Sequence, residues 1–161
     1  MLDRVKEAVF DVLGETVEGV RVADLYAGIG SFGIEALSRG AESALFVERH
    51  RATARALEEN LRRTHLGDRG VVKAAELPGV LRNLKGRFGL IFIDPPFRID
   101  TRFLGGLFRL ILDRELLEED GLVVYRHSPH GGYEPPETDW SAVERRDYGD
   151  SIVEIYRARR D

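Results

Sequence analysis

Val20-Arg21-Val22-Ala23-Asp24-Leu25-Tyr26-Ala27-Gly28-Ile29-Gly30-Ser31-Phe32-Gly33 is the stretch that decides the fold. Residues 20–25 read as an apolar strand. The three glycines form a tight turn and open a helix that runs to about Arg39, with Gly40 as its C-cap. Gly28, Gly30 and Gly33 let the chain turn sharply and let a ligand approach the backbone closely. Asp24, ending the strand, is placed to orient the amides of the turn. Glu48 ends a second apolar run at 43–48, where a carboxylate can accept both hydroxyls of a ribose. The pattern indicates a nucleoside cofactor. It leaves open a dinucleotide, whose pyrophosphate would sit on the helix N-terminus, and S-adenosylmethionine, which carries a sulfonium and no phosphate.

The same alternation of elements continues outward. Val5, Val9 and Leu13, with Phe10 beside them, predict an amphipathic helix over 2–13 that ends at Gly14. An Ala-, Glu- and Arg-rich helix is expected at 50–64, a strand at 70–74, a short helix from Pro78 to Leu84, and a strand at 88–93. A helix at 101–112 and a strand at 121–125 follow. Residues 128–139, with three prolines and two glycines, read as loop. Strands at 141–147 and 151–158, joined through Gly149-Asp150, form a hairpin. Such an order predicts an α/β fold with a mainly parallel sheet, closed by an antiparallel tail. The 161 residues are expected to form one domain, 1–161.

Composition narrows the function classes. The formal net charge is −4, so the chain lacks the overall basic footprint of a general nucleic-acid binder. There is no cysteine, hence no disulfide, thiolate nucleophile or Cys-based zinc site. No apolar run approaches the roughly 20 residues of a membrane span. Asp3, Arg4, Lys6 and Glu7 interrupt any signal-peptide start. A cytoplasmic protein without a metal is expected. His127 and His130 read as loop histidines, and Trp140 as packing at the start of the tail hairpin.

Asp94-Pro95-Pro96-Phe97 separates the two cofactor readings. It follows the apolar run Leu90-Ile91-Phe92-Ile93, and two prolines force the chain out of a central strand. A carboxylate, a stiff backbone with free carbonyls and an aromatic ring are thereby set at the C-terminal edge of the sheet, where ligands of open α/β sheets bind. An exocyclic amine of a nucleobase can donate to Asp94 and to the Pro95 carbonyl while Phe97 stacks on the base. A dehydrogenase has no evident use for this turn. Arg4, Lys6, Arg98 and Arg102 are candidate contacts to a nucleic-acid backbone.

With both motifs placed, nearly the whole chain resembles the RsmD family, the bacterial small-subunit rRNA guanine-N2 methyltransferases. The resemblance is carried by Asp3–Phe10, by the long run Asp24–Ala41, by Phe46-Val47-Glu48, by Ile93–Phe97 and by Tyr148-Gly149-Asp150. It implies a seven-stranded, mostly parallel Rossmann-like fold with an antiparallel C-terminal hairpin. It implies transfer of methyl from S-adenosyl-L-methionine to a guanine N2 amine of 16S rRNA, with rRNA or the small ribosomal subunit as partner. Carried over by position, Asp94, Pro95 and Phe97 would be catalytic and Pro96 would touch substrate. Asp24, Tyr26, Ala27, Gly28, Gly30 and Gly33 would hold the cofactor with Glu48 and Arg49. Family members often place Asn or Asp after the third strand; here the stretch is Lys73-Ala74-Ala75-Glu76, leaving Glu76 and Leu77 for the adenine. The family's basic N-terminal arm is expected to be absent, since the chain begins at the first helix, and a monomer is expected. An adenine-N6 or other amino-methyltransferase on DNA or another RNA remains an alternative on the residues alone. So do an NAD-type oxidoreductase and a catalytically silent cofactor-binding domain.

Overall fold

The computed structural model describes residues 3–160. The expected positions 1, 2 and 161 lie outside the described residues. Seven strands form one sheet: β1 (Arg21–Asp24), β2 (Ser43–Val47), β3 (Gly70–Lys73), β4 (Phe88–Ile93), β5 (Leu117–His127), β6 (Trp140–Asp147) and β7 (Ile152–Ala158), in the order β3-β2-β1-β4-β5-β7-β6. The first five run parallel to one another. β7 is antiparallel to β5, and β6 to β7. The mostly parallel sheet and antiparallel tail read from the sequence are therefore present.

Four helices cover the sheet: α1 (Asp3–Leu13), α2 (Ser31–Ser38), α3 (Arg51–Arg63) and α4 (Thr101–Asp113). Side chains alternate across the pleat, as period two requires. Val22, Leu90, Phe92 and Val124 face a core shared with α1, α2 and α3, where Phe32 stacks on Phe92 at 4.7 Å. Ala23, Ile91, Ile93 and Tyr125 face the opposite core beneath α4. Phe108 of α4 meets Tyr125, Trp140 and Tyr156 edge-on there. Strands buried on both faces explain why Leu90–Ile93 is apolar without a break.

Local signals set the helix ends. Gly40 closes α2 with φ +101°. Its N–H donates to Leu37 and the Ala41 N–H to Ala36, the paired bonds of a Schellman motif. Gly14 ends α1 at φ +53°, and a 3-10 turn continues to Val17. Asp100 caps α4 by accepting from the Arg102 N–H at 2.8 Å.

The short helix expected at 78–84 is a 3-10 helix, Gly79–Asn83. The structure corrects two other expectations. β5 begins at Leu117, because the register shifts where Phe88 pairs Leu117 and Leu90 pairs Leu122, a bulge that hides the early strand from its alternation pattern. His127 consequently ends β5 and is not a loop histidine. Its Nε2 lies 2.9 Å from Glu154 of β7, and its Nδ1 lies 2.8 Å from the Ser128 carbonyl and 3.0 Å from that of Gly131.

Candidate active site

The strand order reverses between β1 and β4, the switch point at which open α/β sheets bind ligands. The C-terminal ends of β2, β1, β4 and β5 lie side by side there. They bring Glu48, Asp24, Asp94 and Arg126, respectively, to one edge of the sheet. A cavity of about 800 Å³ opens at that edge.

One end of the cavity is built on the glycine turn. The Leu25 N–H donates to the Phe92 carbonyl and the Ala27 N–H to the Val47 carbonyl, both at 3.0 Å, so the turn is pinned to β4 and β2. Gly28 and Gly30 adopt φ +55° and +95°. A Cβ on Gly28 would enter open space, whereas one on Gly33 would lie 2.2 Å from a ring carbon of Phe46. Gly28 thus leaves a ligand access to the backbone, and Gly33 lets α2 pack on β2. Ala27, Gly30 and Gly33 shape the turn from behind, while Tyr26 and Gly28 line the cavity.

The carboxylates are held by backbone amides. Asp24 is buried, and its Oδ2 accepts from the Gly33 N–H at 3.0 Å. Its Oδ1 and the Tyr26 hydroxyl are buried without a partner among the described residues. Burial, helped by the nearby Asp94 and Glu48 charges, pushes the Asp24 carboxyl up to about 7 against the lowering effect of the Gly33 N–H. Burial likewise raises the Tyr26 hydroxyl. Glu48 accepts from Gly28 N–H at 3.1 Å through Oε1 and from His50 N–H at 2.8 Å through Oε2. Each Glu48 oxygen keeps a lone pair for a further donor. Arg49, Glu76 and Leu77 line the same end.

The turn after β4 forms the other end. Pro95 is buried, Pro96 is exposed, and Phe97 is 46% exposed with its ring on the cavity. Asp94 Oδ1 accepts from Arg126 Nε at 2.9 Å. Burial raises the Asp94 carboxyl, and the Arg126 guanidinium opposes that shift. The Arg126 guanidinium carbon also lies 5.1 Å from the Phe97 ring centroid.

Of the four cations singled out in the sequence, only Arg98 lines the cavity. Arg102 pairs with Asp100 at 3.2 Å at the cap of α4. Lys6 lies 3.7 Å from Glu35 and 3.9 Å from Asp3, and Arg4 projects from α1 into solvent. Arg126, His50 and Phe103 line the cavity and were missed. Arg126 had a usable signal: it is the first polar residue after the Leu122–Tyr125 run, the place that Glu48 and Asp94 hold on their own strands.

Carboxylates govern what the cavity can take. The Gly33 N–H, one of the amides a pyrophosphate would need, is already occupied by Asp24. Glu48 and Asp94, which line the cavity, would also repel two phosphate charges. The same groups suit a ligand that brings a ribose and a positive charge.

The chain matches the family described as Conserved hypothetical protein 95 over residues 1–157. It is 36% identical over 98% of its length to a Bacillus subtilis protein named "Putative rRNA methyltransferase YlbH", covering 86% of that protein. It is 29% identical over 96% of its length to the Escherichia coli "Ribosomal RNA small subunit methyltransferase D", covering 77% of it. A solved structure described as "Putative methyltransferase yhhF from Escherichia coli" superposes with a TM-score of 0.89 at 27% identity, over 99% of this chain and 89% of that one.

Proposed function

The chain belongs to the family described as Conserved hypothetical protein 95, the RsmD family that its motifs resemble, and from that premise we propose that it methylates the exocyclic N2 amine of a guanine in 16S rRNA. The class of enzyme, an S-adenosylmethionine-dependent RNA methyltransferase, follows from the family; the base and the atom are the proposal. The observation that carries it is that an acidic cofactor end and the Asp94–Phe97 turn share one cavity at the switch point.

The residues fit the cofactor. Glu48 would take the ribose hydroxyls, Leu77 would flank the adenine, and the open backbone at Gly28 would admit the body of the molecule. The acidic surroundings of Asp24 suit its net positive charge. S-adenosylmethionine supplies an electrophilic methyl group on a sulfonium. The chain's own task is then alignment of the acceptor.

A guanine N2 amine is a weak nucleophile because its lone pair is delocalised into the ring. Asp94 Oδ2, which accepts no hydrogen bond among the described residues, and the Pro95 carbonyl can each accept one of its hydrogens. Both acceptors together pull the nitrogen towards tetrahedral geometry and localise the lone pair. As the N–C bond forms, the methyl–sulfur bond would break, with the sulfur leaving as a neutral thioether, and the amine loses one proton, which Asp94 or water accepts. Phe97 stacks on the base, a contact worth roughly 1–3 kcal/mol. The base has to leave its helical stack to reach the cavity. Arg98 at the rim is placed for a backbone phosphate. An rRNA substrate puts the reaction in the cytoplasm.

Incubating the protein with labelled S-adenosylmethionine and unmethylated small subunits or naked 16S rRNA, then digesting to nucleosides, tests the proposal. N2-methylguanosine is the expected product, and Asp94→Ala is expected to abolish it while cofactor binding persists. N6-methyladenosine in its place would transfer the same chemistry to the other base. An Asp94→Ala protein that works at the parental rate would overturn the role of the turn.

A further inference from the structure

We propose that Arg126 is a positioning residue for this reaction, holding both Asp94 and Phe97 in the arrangement the acceptor base needs; the inference rests on the function proposed above. The parallel register of β4 and β5 pairs Ile93 with Tyr125, so the next residue of each strand, Asp94 and Arg126, come together across the sheet edge. The two side chains are each only 16% exposed, and Arg126 Nε meets Asp94 Oδ1 at 2.9 Å. The same guanidinium lies over the Phe97 ring at 5.1 Å. One planar cation thus touches the acceptor of the amine and the platform of the base, and it reaches the turn from the neighbouring strand.

Each contact has a chemical consequence. Asp94 is largely buried, and burial raises its carboxyl; its charge in turn reaches Asp24 on β1, to which Glu48 on β2 adds. A neutral carboxyl would present an O–H donor where the amine needs an acceptor. Arg126 on β5 supplies the opposing charge and occupies Oδ1, which leaves Oδ2 for substrate. An ionised carboxylate accepts only. It therefore suits the guanine edge, where N1–H and the N2 amine are adjacent donors. It suits the adenine edge less, because an acceptor, N1, stands beside the N6 amine. At Phe97, a guanidinium over the ring steadies a half-exposed side chain and turns it into a platform for the base.

Arg126→Met keeps the length of the stem and removes the charge and the plane; Arg126→Lys restores the charge alone. Both are compared with the parent in three measurements. These are the carbon-13 titration of the Asp94 carboxyl without RNA, assigned with Asp94→Asn; the pH profile of kcat/KM on small subunits; and S-adenosylmethionine affinity by calorimetry as a check on folding. In Arg126→Met the carboxyl titration and the acid limb of the profile are expected to move up together by about one pH unit or more. KM for the RNA should rise, with kcat/KM down about tenfold to a hundredfold and cofactor affinity unchanged. Arg126→Lys should return the acid limb towards the parental value without restoring KM, since an ammonium cannot stack as a plane. An Asp94 titration that stays in place in Arg126→Met would overturn the inference, as would parental RNA kinetics. Parental protein that methylates no guanine would strike the proposed function itself. The titration, read without RNA, would still uphold or overturn the coupling of Arg126 to Asp94.

Discussion

Glu48 illustrates how a residue acquires a role from its surroundings. In sequence it is one glutamate among many, followed by Arg49 and Arg51, with which it could form an ordinary surface pair. In the fold its two oxygens are instead fixed by the amides of Gly28 and His50. A carboxylate oriented by two backbone donors is still able to accept two hydroxyls. Glu48→Ala should weaken S-adenosylmethionine binding by roughly tenfold to a hundredfold, the range expected for losing hydrogen bonds to a charged group. Calorimetry reads this directly, and an unchanged Kd would remove Glu48 from the ribose. Arg126 had the same local signature as Glu48, a polar residue at the end of an apolar strand. Its partner could not be read, because Asp94 lies 32 positions away and becomes a neighbour only through strand pairing.

At the scale of elements, β5 and β7 are joined by more than their ladder. His127 ends β5 and pairs with Glu154 of β7, which also accepts from the Tyr156 hydroxyl and pairs with Arg145 of β6. The other imidazole nitrogen faces only the Ser128 and Gly131 carbonyls, so the ring holds the start of the following loop against the sheet. Burial pushes the imidazolium down, but donation to Glu154 and to the two carbonyls outweighs it, and the His127 pKa is raised. The hydrogen bond from His127 holds the Glu154 carboxyl below its usual value. A raised histidine stabilises the fold fully below its unfolded value of 6.5, and that stability is lost as pH rises through the folded value. A lowered glutamate stabilises above its unfolded value of 4.5, and that part is lost as pH falls through the folded value. The pair therefore contributes most between these two values. His127→Gln should lower stability by about 1 kcal/mol in that window, roughly 2–4 °C in Tm, and by less as pH rises beyond it. A Tm difference that is the same at every pH would show that charge plays no part in this contact.

For the molecule as a whole, the sheet separates two cores that share every central strand. Phe10 belongs to the core beneath α1, α2 and α3, and Phe108 to the one beneath α4. Because Phe92 and Ile93 are consecutive residues of β4 that face opposite cores, neither side can lose its packing without disturbing the other. We therefore expect one cooperative unit. Phe10→Ala and Phe108→Ala should each cost about 3–5 kcal/mol. In each variant the urea transition seen by far-UV circular dichroism should coincide with that of Trp140 fluorescence. Separate transitions would mean that the two layers unfold independently. The elements and much of the site followed from sequence alone. Alternation fixed the strands, glycine and proline fixed the turns, and Gly28, Glu48 and Asp94–Phe97 marked residues that line one cavity, because each of these is a property of a few adjacent residues. Hidden from that reading were the bulge that lengthens β5, the ties of Lys6 and Arg102 away from the cavity, and the pairs Asp94–Arg126 and His127–Glu154. Only the tertiary structure decided these, because they depend on which strands lie side by side and in what register, and free energy that comes from distant segments packing together leaves no mark in a local pattern.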